Sequence, residues 1–329
     1  MHLRSMPIIA AALAVAPPAS ALDASRPELQ RFVAQMNAEF GTDEKWLTHL
    51  LEQAVAQPKI VETISRPAER VRPWYEYREI FLTDERVDAG VDYWRAHDAD
   101  LQQAAQRFDV DPDVIVAILG VETFYGRTTG RYRVLDSLTT LAFDYPPRSD
   151  FFRSELQEFV LLAREGSLDP LTVTGSYAGA MGLPQFISSS YRRFSVDSDG
   201  DGRRDLWTDN ADVVASVANY FREHGWVRGE SPIVPARLGK PEAAALASDR
   251  VELAHTVTEL RAAGVEFDTT LPGERRAMLL KLDGRNGPEY WVGFRNFYTI
   301  TRYNRSPLYA LAVHQLGTAI AQRVTADAK

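Results

Sequence analysis

Positions 114–121 carry no charge and no strong polar group, and a glutamate, Glu122, follows them directly. Asp111 and Pro112 suit the N-cap and first turn of a helix, and Gly126 and Gly130 come soon after its end. At helical spacing Glu122 lies four residues from Ile118 and seven from Ile115, so its carboxyl shares a face with apolar positions. An ionised carboxylate buried there costs several kcal/mol unless it is paired. Two folds of the segment resolve this. A cation neutralises the group, with Arg127 and Arg131 at hand, or desolvation and the negative helix end raise its pKa. A carboxyl kept protonated near neutrality is a general acid.

The surrounding pattern is mainly helical. Phe32, Val33, Met36 and Phe40 share one face of a segment ended by Gly41, and Trp46, Leu47, Leu50 and Leu51 repeat the pattern. Residues 88–108 read as one longer helix or two short ones. After about Val227 the composition shifts: SPIVPARLGKP, RRAMLLKLDG and EYWVGFRNFYTI read as strands, with the helix VTELRAAG among them. The chain is thus expected to be α+β and predominantly α-helical. A helical unit spans 22–110, a core 111–228 and a small α+β unit 229–289, and residues 290–329 return to the core with a C-terminal helix.

Residues 1–21 are set apart as a secretory signal peptide. They offer a short basic start, an apolar run too short for a membrane span, and small residues at Ala19 and Ala21, with cleavage expected after Ala21. The chain has no cysteine, which excludes disulfides, thiolate metal sites, a cysteine nucleophile and a lipidated cysteine. A periplasmic protein that is not a lipoprotein is expected. The net charge of −8 argues against nucleic acid and anionic lipid as partners. No later segment is long and apolar enough for a transmembrane span, and a monomer is expected.

Three further stretches bear on chemistry. GSYAGAMGLPQF, from Gly175 to Phe186, is rich in small residues that allow close backbone approach. Its Ser176 and Gln185 offer hydrogen bonds to a ligand, unless the stretch is only a tight turn. In DSDGDGRRDLW, Asp197, Asp199 and Asp201 fall at positions 1, 3 and 5 of a calcium loop, with Gly202 at 6 and the Arg203 carbonyl at 7. Thr208 stands where the loop's closing glutamate is usual, so Asp205, Asp209 or Asp212 must complete the shell. Asp212, at the start of the next helix, fits that position best, and a structural Ca2+ is expected. NFYTITRYNRS supplies Tyr298, Tyr303 and Asn304, which suit sugar stacking and hydroxyl recognition, unless it is an edge strand with ordinary packing. No H-E-x-x-H, G-x-S-x-G or P-loop pattern is present.

GVETFYGR, GSYAGAMGLPQF, DGDGRRDLW, SVANYFREHGW and NFYTITRYN, in this order, resemble the lytic murein transglycosylase B family from about Leu29 to Ala321. The resemblance implies a lysozyme-like core with a helical domain and a small β-containing domain beside it. It implies cleavage of the β-1,4 bond between N-acetylmuramic acid and N-acetylglucosamine in peptidoglycan, leaving a 1,6-anhydro-muramyl end. The family's single acid/base maps onto Glu122. Ser176, Tyr177, Gln185, Tyr298, Tyr303 and Asn304 map onto the sugar cleft, and the calcium loop onto Asp197, Asp199, Asp201, Arg203 and Asp212. Three departures stand out. The lipidated cysteine of the best-known member is missing, and of two adjacent arginines held to meet the peptide stem only Arg148 remains, after Pro147. The stretch between the calcium loop and its helix is one residue longer, which leaves Asp209 as an alternative to Asp212. One rival activity is a water-adding muramidase, which would ordinarily need a second carboxylate, with Asp136, Asp144 and Asp150 as candidates. Another is a non-catalytic peptidoglycan-binding protein.

Overall fold

The apolar segment is helical over Pro112–Thr123, and residues 114–120 are buried on every side. The computed structural model describes residues 22–23, 25–65 and 72–327, so the expected signal peptide lies outside the described residues. Helices α1 (Pro27–Phe40), α2 (Glu44–Glu52), α3 (Pro58–Ser65), α4 (Trp74–Phe81), α5 (Asp84–Ala96) and α6 (Asp98–Phe108) lead to this central helix, α7. The 88–108 stretch is two helices that break at His97.

Strand β1 (Tyr132–Arg133) runs into α8 (Val134–Asp144) and α9 (Ser149–Arg164), and pairs antiparallel with β2 (Thr174–Gly175). Helices α10 (Ser188–Phe194) and α11 (Asn210–Glu223) follow. The sheet unit holds β3 (Ile233–Leu238), β4 (Ala247–Ser248), β5 (His255–Thr256), α12 (Val257–Ala262), β6 (Val265–Glu266), β7 (Arg276–Gly284) and β8 (Gly287–Gly293). Its strand order is β4-β7-β8-β3-β6, with β5 also on β7. The β7–β8 hairpin pairs Leu280 with Trp291 and closes at Gly284 and Gly287. Helices α13 (Arg295–Tyr303) and α14 (Pro307–Asp327) end the described chain.

One apolar cluster runs from Leu22 to Ile320 and joins the early helices to the core; α14 lies along α4, α5 and α7, and α6 lies on α11. A smaller cluster, with Val257, Leu260, Leu279 and Val292 among its members, fills the sheet unit.

Two local expectations are corrected. FRNFYTI does not continue a strand but forms α13. Its aromatic and β-branched residues suit a strand, yet Phe297, Ile300 and Thr301 recur at helical spacing and are buried. Asn296 pins this helix to the start of the sheet unit. It accepts from Val227 N at 2.8 Å and donates to the Val227 and Glu230 carbonyls at 2.7 and 2.8 Å. Asp111 occupies the N-cap position of α7, but its side chain does not cap. It accepts instead from Trp226 Nε1 at 2.9 Å and Gly229 N at 3.0 Å, tying α7 to the chain that leaves the core.

Candidate active site

Glu122 sits in the last turn of α7. Among the described residues its carboxyl has no cation partner: Arg127 pairs with Glu85 at 2.9 Å and lies over the Phe124 ring. Its polar partner is the Tyr309 hydroxyl of α14, which donates to Oε1 at 2.5 Å. Glu122 is half-buried as a residue, and protein atoms crowd its carboxyl. That crowding raises its pKa from 4.5 to about 7, against the opposing pull of the Tyr309 hydrogen bond. Tyr77 of α4 and Tyr303 of α13 also feel the Glu122 charge. For Tyr77, Tyr303 and Tyr309, burial first and the Glu122 carboxylate second push the phenol above its usual value.

The backbone beyond Glu122 is strained. Phe124 and Tyr125 both have positive φ, 53° and 56°. The surroundings hold this turn firmly. The Tyr125 hydroxyl donates to the Arg86 carbonyl at 3.0 Å, and its ring stacks on Tyr93 at 5.7 Å. Gly120 makes room for it: a Cβ there would lie 2.5 Å from the Tyr125 oxygen. Gly120→Ala should therefore lower stability by about 1–3 kcal/mol through overpacking. A urea midpoint no lower than wild type would contradict this.

Thr123 joins α7 to the small-residue loop. Its hydroxyl donates to the Leu183 carbonyl at 3.0 Å and accepts from Gly126 N. Loop and strand touch backbone to backbone: a Cβ on Gly175 would lie 2.2 Å from the Ala180 carbonyl oxygen. Ser176 Oγ accepts from Ala180 N at 3.0 Å and Ala178 N at 3.3 Å, which leaves its proton to donate. Gln185, at φ 52°, spends its amide N–H groups on the Gly182 and Thr129 carbonyls at 2.9 and 3.1 Å. The Tyr303 hydroxyl donates to the Pro184 carbonyl at 2.7 Å, and its ring packs on Phe186, Tyr220 and Phe221.

A second polar centre lies in the loop before α11. Oxygens of Asp197, Asp199 and Asp212 all fall within 4.8 Å of one another. Asp209 spends its carboxylate as the N-cap of α11, accepting from Asp212 N at 3.1 Å. Asp212 is buried and accepts from Ser198 N at 2.6 Å and Asp205 N at 2.8 Å. Burial, then its like-charged neighbours Asp209 and Asp199, hold its pKa up against those two amides. Asp201 stands outside this triad and accepts from Arg203 N at 2.7 Å.

Residues 24–318 match the family described as Transglycosylase SLT domain. The chain belongs to this SLT family. It is 41% identical over 307 residues to membrane-bound lytic murein transglycosylase B of Escherichia coli, covering 91% of this chain and 84% of that protein. Its fold superposes on the catenated lytic transglycosylase SltB1 of Pseudomonas aeruginosa with a TM-score of 0.88 at 48% identity, over 91% of this chain and 98% of that one. It also superposes on the Escherichia coli lytic transglycosylase SLT35 in complex with calcium, with a TM-score of 0.84 at 40% identity, over 93% and 97% of the two chains.

Within the SLT fold the sequence-expected residues separate into groups. Tyr303 stands by Glu122, and Thr123 fastens the loop of Ser176 and Gln185 to the same helix end. Tyr177 is exposed on that loop. Asn304 is exposed between α13 and α14, its Oδ1 accepting from Ser306 N. The Arg295 and Arg302 guanidiniums both approach the Tyr298 ring, and the exposed Arg148 lies over Phe151 and Phe152; among the described residues neither Tyr298 nor Arg148 has a hydrogen bond or ion pair to the Glu122 cluster. Sequence reasoning missed Tyr77 and Tyr309. The only available signal for Tyr309 was a lone phenol in the apolar run PLYALAV.

Proposed function

We propose that this chain is a peptidoglycan lytic transglycosylase in which Glu122 serves first as general acid and then as general base. The observation that carries this reading is a half-buried carboxyl with a pKa near 7, a tyrosine hydroxyl as its polar partner and, among the described residues, no cation partner. Such a group is protonated in a useful fraction of molecules near neutral pH. Glu122 gives its proton to the glycosidic oxygen between N-acetylmuramic acid and N-acetylglucosamine as the C1–O bond breaks. The muramic N-acetyl oxygen stabilises the charge left on C1. Ionised Glu122 then takes the proton of the C6 hydroxyl as that oxygen closes on C1, and the acid is regenerated. Tyr309 donates to the ionised form between the two steps. Ser176, with a free hydroxyl proton, and the exposed Tyr177 and Asn304 are assigned to the sugar.

The water-adding alternative lacks a ready second carboxylate among its candidates. Asp136 accepts from Val55 N at 2.8 Å and pairs with Arg133; Asp144 pairs with Arg26 and Asp150 with Arg153. Mass spectrometry of muropeptides released from sacculi by the purified protein decides between the reactions. Anhydro ends, one water lighter than reducing ends, are expected; reducing ends alone would establish hydrolysis.

The aspartate triad is assigned to a structural Ca2+. Calcium–oxygen distances of about 2.3–2.6 Å place oxygens around one ion within about 5 Å of each other. The 4.8 Å spread and the all-oxygen donor set of Asp197, Asp199 and Asp212 fit that limit. The ion would bind the loop ends together and takes no part in breaking the glycosidic bond. A periplasmic location agrees with this substrate. Among the described residues no helix is long and apolar enough to cross a membrane.

Tyr309→Phe tests the polarity of the acid. The hydroxyl stabilises the ionised form and pulls the Glu122 pKa down. Its loss should move the alkaline limb of the kcat/KM profile upward by about one pH unit, the scale of a hydrogen bond to a charged group. An unmoved or lowered limb would detach Tyr309 from the acid.

A further inference from the structure

A cavity of about 370 Å³ lies beside the aspartate loop and shares no residue with the cluster around Glu122; Thr172, Thr174, Tyr191, Arg203, Arg204 and Trp207 are among its walls. Most of its polar groups are committed. Asp205 accepts from Trp207 N, Thr208 N and the Thr208 hydroxyl. Asp169 accepts from Leu171 N and the Thr172 hydroxyl. Arg204 is held by Ser167 Oγ at 2.5 Å above the Tyr191 ring. The Trp207 indole N–H is fixed to the Thr174 carbonyl at 3.2 Å, which leaves its ring face as a wall.

Two polar groups stay unspent. Among the described residues the exposed Arg203 guanidinium makes no hydrogen bond or salt bridge, its charge acting only at a distance on the Asp205 carboxylate, and the exposed Thr174 hydroxyl makes no hydrogen bond. A guanidinium beside an aromatic wall and a free hydroxyl suits a carboxylate carried on a peptide. The cavity also adjoins the cleft loop. Thr174 precedes Ser176 by two residues, about 7 Å along an extended chain.

We propose that this cavity is a subsite for the peptide stem of the glycan strand, in which Arg203 takes a stem carboxylate against Trp207 and Thr174. The assignment rests on the peptidoglycan reading above. It differs from a sugar subsite in needing no glycan for binding.

The test is calorimetric titration of the calcium-saturated full chain with a sugar-free stem pentapeptide ending in D-Ala-D-Ala, and with the same peptide fully amidated. Binding of the free acid is expected. Arg203→Ala and peptide amidation should each weaken it about tenfold, the scale of one charge-assisted hydrogen bond, and the two losses should not add. Thr174→Val, with its own smaller loss, provides a second variant should Arg203→Ala fail to fold. No binding at millimolar peptide, equal affinity of Arg203→Ala and wild type, or fully additive losses would overturn the subsite. Muropeptide release by the wild-type protein, assayed in parallel, judges the catalytic reading separately. Release without peptide binding removes only the subsite, and absence of release removes the enzyme.

Discussion

Glu122→Gln is expected to abolish muropeptide release while the fold persists. General acid catalysis alone is typically worth ~100- to 10,000-fold, and here one group acts twice, so a loss of at least about 1,000-fold is expected. The amide keeps the shape and can still accept from Tyr309, but it has no acidic proton to give. The stability response carries a sign. The Glu122 carboxyl is raised from 4.5 to about 7 in the folded protein. Folding therefore favours its protonated form, and that advantage is fully present below pH 4.5 and lost as pH rises through 7. Ionisation in place costs on the order of 3 kcal/mol. The glutamine variant, neutral at every pH, should melt with wild type near pH 4.5 and several degrees above it at pH 8. Wild-type kcat/KM should fall on the alkaline side with the same pKa near 7. A variant retaining more than about 1% of activity, outside the range expected for a lost general acid, would remove Glu122 from this role.

What could be read in the sequence follows the physics of each signal. Of the eight apolar residues before Glu122, the helix they form buries seven, Val114 to Gly120, as the length and the Asp111–Pro112 start of the run suggested. The strands β3 and β7 lie within two of the three stretches expected from alternation and Gly/Pro punctuation, and β8 begins two residues before the third and covers its opening EYWVG. The segment 295–303 misled because Phe, Tyr, Thr and Ile carry strand propensity, and burial against the core overrode it. The environment of Glu122 was legible only by half. Its apolar face is local and follows from helical spacing. Its partner Tyr309 is 187 residues away and reaches it only because α14 packs along α7. Gln185 shows the same limit from the other side. Its residue type suggests a ligand contact, yet its amide N–H groups hold the loop together.

Calcium should raise the melting temperature markedly without being required for bond cleavage. A ligand bound only by the folded state stabilises it by RT ln(1 + [L]/Kd), about 2.7 kcal/mol at a hundredfold excess over Kd. For a chain of this size that corresponds to roughly 5 °C. The apo loop is the weak point because Asp197, Asp199 and Asp212 converge on one another, and Asp212 is buried among like charges. Backbone amides partly offset the repulsion: Asp197 accepts from Gly200 N at 2.7 Å and Gly202 N at 3.0 Å. The loop can therefore keep its shape without metal at moderate temperature. Asp199→Ala removes one ligand and one repelling charge together. Its apo form should melt no lower than wild-type apo protein, and the calcium-dependent rise should vanish. Asp201→Ala should retain more of that rise, because Asp201 lies outside the converging triad. The triad and Glu122 are separate clusters of residues, so chelator-treated protein assayed well below its lowered melting temperature should still release anhydro-muropeptides. A complete, calcium-reversible loss of activity in folded apo protein would show that the ion shapes the cleft as well as the loop.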